Sequence, residues 1–148
     1  MKQKSFADMR CSIARSLEII GPWWSFLILR DAFMGVRRFR DFERSLGIAK
    51  NTLSNRLKLL VENDLLEKIS ATDGTKYEEY HLTQKGRELF PVLVAITQWG
   101  DKWAVHENGP SFEIVDTRTE SAIPPLALLG SDGQPLAEEF IGVKRAKA

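Results

Sequence analysis

Apolar residues set the first element: Ile13, Leu17 and Ile20 recur at helical spacing, and Gly21-Pro22 closes this helix and opens the next at a position where proline is tolerated. Trp24, Leu27, Ile28 and Ala32 continue a strongly apolar second helix, which Gly35 stops. Arg37-Arg38 then lead into a short amphipathic helix with Phe39, Phe42 and Leu46 on one face, ended by Gly47. After the spacer Ile48, inward-facing Leu53, Leu57 and Leu60 predict a fourth helix over about 50–63. Two helices joined by a glycine-containing turn make a helix-turn-helix candidate. Segments 65–69 and 77–82 alternate around Thr72-Asp73-Gly74-Thr75, where Asp-Gly predicts a β-hairpin. From Thr83, the stripe Leu89, Leu93, Ile96 and Trp103, broadened by Val92 and Trp99, predicts one long helix ending near Asn108-Gly109-Pro110. Beyond it, Pro124-Pro125, Gly130, Gly133 and Pro135 break every period and leave only short strands or loops. The expected fold is mainly α with a small β-hairpin wing, an α+β winged helix-turn-helix over 1–108, followed by an irregular extension at 109–148.

Composition narrows the classes. At 148 residues, 43% hydrophobic and 28% charged, the chain fits one globular domain with an appendage and is too short for two full enzyme domains. Its longest uncharged apolar stretch, 19–29, is interrupted by Gly21, Pro22 and Ser25 and falls short of the roughly 20 residues of a membrane span. The basic start Met1-Lys2-Gln3-Lys4 leads to Met9, Arg10, Cys11 and Ser12 instead of an apolar leader segment, so the expected location is cytoplasmic with no membrane partner. A single cysteine excludes an internal disulfide, and with only His81 and His106 beside it makes a poor zinc set. Phosphate-loop, dinucleotide, zinc-protease and nucleophile-elbow patterns are all missing, so neither an enzyme nor a cofactor is expected.

The formal net charge of +1 hides an asymmetry: residues 30–58 carry eight basic and three acidic groups, whereas 99–140 carry two basic and eight acidic ones. A local basic segment on an otherwise acidic chain suits a polyanion, because phosphate neutralisation releases counterions; a solvated helix face is the alternative. With Leu53, Leu57 and Leu60 inward, Asn51, Asn55 and Lys58 share the opposite face of the fourth helix beside Thr52 and Ser54. Asparagine can pair in bidentate fashion with adenine, Ser and Thr with either base type, and Lys50, Arg56 and Lys58 with phosphate or guanine. Arg37 and Arg38 are expected on backbone phosphates, the alternative being a plain pair of surface arginines. A winged-helix module that binds protein instead of DNA is the rival reading; it would require an apolar or acidic outer face on this helix.

Cys11 before a helix, Gly21, Trp24, Ile28-Leu29-Arg30-Asp31, Gly35, Arg37-Arg38-Phe39, Gly47-Ile48, Leu53, Leu57, and Glu79-Tyr80-His81-Leu82-Thr83 with Gly86 occur in one order and spacing. In this the chain resembles the HxlR-type transcriptional regulators over residues 11 to about 106. The resemblance implies a winged-helix homodimer on a pseudo-palindromic double-stranded DNA site, with the first and last helices at the dimer interface. Three positions depart from the pattern. Ala49 stands where Ser or Thr commonly caps the recognition helix. Asp64 replaces a glycine after that helix, beside Asn63, both types that tolerate left-handed backbone. Tyr77 replaces a wing arginine, leaving Lys76 as the basic wing contact. In the extension Gly133-Gln134-Pro135-Leu136 resembles the end of longer members, but Leu129 and Asp132 occupy the places of a cysteine pair, so the tail is expected to fold without metal.

Two effector readings stand side by side. Cys11, near a helix N-terminus with Arg10 and Arg15 close in sequence, is either a redox sensor, as in some members of the family, or a small side chain packed at the dimer interface. Trp23, Trp24, Phe26, Trp99 and Trp103 either line a cleft for a small apolar ligand or are core.

Overall fold

The computed structural model describes residues 5–145; the basic start Met1–Lys4 lies outside the described residues. Among the described residues, six α-helices and two small antiparallel sheets follow in the order α1 (Ser12–Ile20), α2 (Trp23–Phe33), α3 (Phe39–Leu46), α4 (Lys50–Glu62), β1 (Leu66–Ser70), β2 (Glu78–Leu82), α5 (Gln84–Arg87), α6 (Phe90–Trp103), β3 (Val115–Asp116) and β4 (Ser121–Ala122), with a 3-10 turn at Glu138–Phe140. The fold is a mainly α winged helix-turn-helix with a β wing. No helix among the described residues is long and apolar enough to cross a membrane. The chain divides into two compact units, up to Leu93 and from Val94 on, with the division inside α6.

In the first unit α2 is the central element, packed against α1, α3, α4 and the wing. Its Ile28, Leu29 and Ala32 join Phe42 of α3, Leu53, Leu57 and Leu60 of α4, Ile48, and Leu65, Leu66 and Leu82 at the base of the wing in one buried cluster. Burial of each large aliphatic side chain contributes about 1.5–3 kcal/mol, so this cluster is what fixes α4 against the domain. The turn between α3 and α4 depends on Gly47, whose φ of 61° is left-handed, as a helix C-terminus of this type requires. Asp64, where a glycine was expected, adopts φ 58° and turns the chain from α4 into β1. The wing pairs Leu66 with Leu82 and Ser70 with Glu78 in antiparallel register.

Pro91 cuts the expected long helix in two. Proline has no N–H and its ring collides with the carbonyl four residues earlier, here that of Arg87, so the helix stops at Arg87 and restarts at Phe90. The short α5 is capped by Thr83, whose Oγ1 accepts the Gly86 N–H at 3.0 Å and donates to the Asp64 carbonyl. Gly86 is required here, since a Cβ on it would lie 2.1 Å from the Leu65 carbonyl oxygen.

In the second unit, Gln98 of α6 holds the incoming chain by both ends of its amide: Nε2 donates to Pro124 O at 3.1 Å and Oε1 accepts Leu126 N–H at 2.8 Å. A tight turn follows, closed by Gly133 N–H on Gly130 O at 2.9 Å and Gly130 N–H on Gln134 O at 2.8 Å. Asp132 Oδ1 accepts the Gln134 N–H at 3.0 Å, so a carboxylate hydrogen bond organises the turn in which the family resemblance placed a cysteine pair.

Candidate nucleic-acid interface

Leu53, Leu57 and Leu60 are buried, and Lys50, Asn51, Ser54, Asn55 and Lys58 are consequently exposed on the outer side of α4. The structure thus brings five of the expected contact residues onto one face. Thr52 and Arg56 flank it, half-buried; Arg56 Nε is withdrawn from solvent without a hydrogen-bond partner. Lys58 Nζ lies 3.7 Å from Glu62 Oε1, both exposed, a pairing weak enough for a phosphate to displace. Ala49 makes no side-chain cap, so the first N–H groups of α4 carry no side-chain partner from it and keep their partial positive charge.

The two arginines expected on phosphates each have partners within the fold. Arg37 Nη1 donates to Ala32 O in the last turn of α2 at 2.6 Å and to Val36 O in the loop after it at 2.9 Å. Its backbone carbonyl accepts the Tyr80 N–H at 2.8 Å, which adds a rung beside the wing. Arg38 pairs with Asp73 in the hairpin turn, approaches Glu79 Oε1 at 3.5 Å, and lies 5.5 Å over the Tyr77 ring. It ties the start of α3 to the wing. The same contacts raise the Arg38 pKa, chiefly through the Asp73 hydrogen bond. Asp73 falls to about 2, because its carboxylate accepts first from the Thr75 hydroxyl and then from Arg38 and the Thr75 N–H.

On the wing, Lys76 and Tyr77 are exposed, and Lys68 Nζ is held by Glu78 Oε2 at 2.7 Å. Two basic residues passed over in the sequence are exposed on α3: Arg40 and Arg44, one helical turn apart. Their i, i+4 spacing opposite Phe39 and Phe42 was the available signal.

Cys11 immediately precedes α1 and is exposed. Arg15 Nη1 donates to Ala7 O at 3.0 Å, and Glu18 binds Ser5 Oγ and Phe6 N–H, so α1 holds the segment before it. Trp24 and Phe26 pack on the core, Trp23 is 88% exposed, and Trp99 and Trp103 are exposed on α6.

The chain resembles known regulators along most of its length. Rv3095 of Mycobacterium tuberculosis, an HTH-type transcriptional regulator, is 44% identical over 103 residues, which is 70% of this chain and 65% of that protein. The chain therefore spans just under two thirds of the length of this relative. PA1607, described as a candidate transcription factor, has a crystal structure that superposes with a TM-score of 0.89 at 43% identity, covering 97% of this chain and all of that one. The redox regulator HypR in its reduced form matches at a TM-score of 0.56 and 25% identity, over 61% of this chain and 90% of that one. The HxlR-like helix-turn-helix family model matches residues 19–108, which takes in the whole core, α4 and the wing, and the chain belongs to that family.

Proposed function

We propose that the protein is a homodimeric, sequence-specific DNA-binding transcriptional regulator that lays α4 in the major groove and the wing on adjacent DNA. One observation carries the reading: a polar, cationic outer face of α4, with Asn51, Asn55 and Lys58 exposed, is held in place by three fully buried leucines on its inner face. Recognition through a helix needs such a rigid backing with short polar arms toward the bases. An apolar or acidic face, which a protein-binding module would need, is not what α4 presents.

Dimerisation is supported by unburied apolar side chains on the two helices that the family resemblance places at the interface. Ile13 and Leu17 project from α1, and Ile96, Trp99 and Trp103 from α6. A second copy that covers them makes two half-sites and hence a pseudo-palindromic operator. Cys11 is the effector candidate best supported, because its thiol is exposed beside α1, and HypR is a redox regulator.

Fluorescence anisotropy against DNA from the protein's own upstream region and a scrambled control, across a salt series and with Cys11 reduced or oxidised, tests the reading. Selective, salt-dependent binding is expected. Asn55→Ala should relax preference at one base position by about 1–3 kcal/mol, whereas Lys58→Ala should weaken all sequences together and shallow the salt slope. Equal loss on specific and random DNA for Asn55→Ala would remove it from base readout. A Cys11→Ser protein that keeps the full oxidant response would exclude the sensor.

A further inference from the structure

Between α3 and the wing lies an open groove of about 450 Å³, lined among others by Arg38, Phe39, Arg40, Arg44, Tyr77 and Tyr80. That volume falls within the range of small-molecule sites, and Phe39, Tyr77 and Tyr80 contribute aromatic surface to its walls. The charges around it are unequally satisfied. Arg38 is taken up by Asp73 and Glu79. Glu78 on the rim is paired with Lys68 at 2.7 Å, whereas Arg44 is only weakly engaged, 3.9 Å from Asp41 with both side chains exposed. Arg40 is then the cation of the groove left without an ion pair among the described residues, and it is exposed.

Aromatic walls with one unengaged guanidinium match a flat ring that carries a single carboxylate. Rings stack offset or edge-on, and guanidinium binds carboxylate through two parallel charge-assisted hydrogen bonds. We propose that the groove between α3 and the wing binds a planar aromatic monocarboxylate, with its ring among Phe39, Tyr77 and Tyr80 and its carboxylate on Arg40. A DNA phosphate makes less use of this groove, because it carries no ring to set against the aromatic walls. Tyr77 also lies beneath Arg38, which ties α3 to the wing, so an occupant touches the contact that positions the wing. Any effect on operator affinity rests on the DNA-binding reading above; the binding site itself does not.

The test is a titration of the full chain with 2-naphthoate, followed by amide NMR shifts without DNA. Saturable shifts confined to the start of α3 and the wing are expected. Arg40→Ala and, separately, replacement of the probe by uncharged 2-naphthalenemethanol should each weaken binding about tenfold, with Arg40→Lys retaining part of it. Arg40 is exposed, and circular dichroism of each variant confirms that the fold is intact. Absence of saturable shifts, equal affinity for the uncharged probe, shifts centred on Trp99 and Trp103, or an unchanged Arg40→Ala titration would each overturn the proposal. If naphthoate fails to bind while Arg40→Ala lowers DNA affinity, the groove seats a DNA phosphate and the proposal falls. If naphthoate saturates the groove while no DNA is bound selectively, the site stands and the regulator reading falls.

Discussion

Arg37→Ala separates a structural arginine from a DNA-contacting one. In the structure Nη1 donates to the Ala32 carbonyl in the last turn of α2 at 2.6 Å and to the Val36 carbonyl in the loop after it at 2.9 Å, beside a helix C-terminus where a positive charge is favourable. A hydrogen bond to a charged group contributes about 1.5–3 kcal/mol. Both bonds here share one nitrogen of a half-buried side chain, so the joint loss should be about 2 kcal/mol, less than their sum. In a chain of 148 residues each kcal/mol moves Tm by about 2–4 °C, which makes the expected drop about 4–8 °C by circular dichroism. Arg37→Lys, which keeps the charge but not the forked donor, should recover about half of it. The slope of log affinity against log salt should not change. An unchanged Tm together with a slope smaller by about 0.9 would refute this reasoning and return Arg37 to the DNA backbone.

Gly86→Ala would put a methyl 2.1 Å from the Leu65 carbonyl oxygen and 3.1 Å from Leu82 Cδ2. Backbone cannot yield as a flexible side chain does, so the cost should lie near the top of the usual overpacking range of about 1–3 kcal/mol, and a Tm within about 2 °C of the parent would contradict the packing described. Asp73 has a folded pKa depressed from 3.8 to about 2. The stability it contributes is therefore fully present above its ordinary value and is lost as pH falls through about 2. Carboxyl NMR should find that low midpoint and see it rise in Thr75→Val, which removes the leading cause; an ordinary midpoint in the parent protein would show that the turn contacts do not persist in solution.

Much of this molecule was legible in the sequence because burial direction is a local property. The spacing of Leu53, Leu57 and Leu60 oriented α4 and so exposed Asn51, Asn55 and Lys58, and Gly47 and Asp73-Gly74 marked turns that backbone sterics restrict to few residue types. The break at Pro91 was legible too, but the apolar stripe that runs through it outweighed the proline, although a missing N–H and a ring clash cannot be offset by periodicity. The duty of Arg38 could not be read locally, and that of Arg37 depended on how the chain folds back after α2. An arginine has a long flexible arm and five donors, and its partner is whichever acceptor the packing brings near: Asp73, a hairpin away, for Arg38, and the end of α2 for Arg37. The sequence by itself determined which face of α4 is polar and where the chain turns, since both follow from residue spacing and local sterics. Only the tertiary structure decided which cations are spent holding the fold together and that Arg40 is left unengaged in the groove beside the wing, because ion pairing depends on distances between elements that no local pattern encodes.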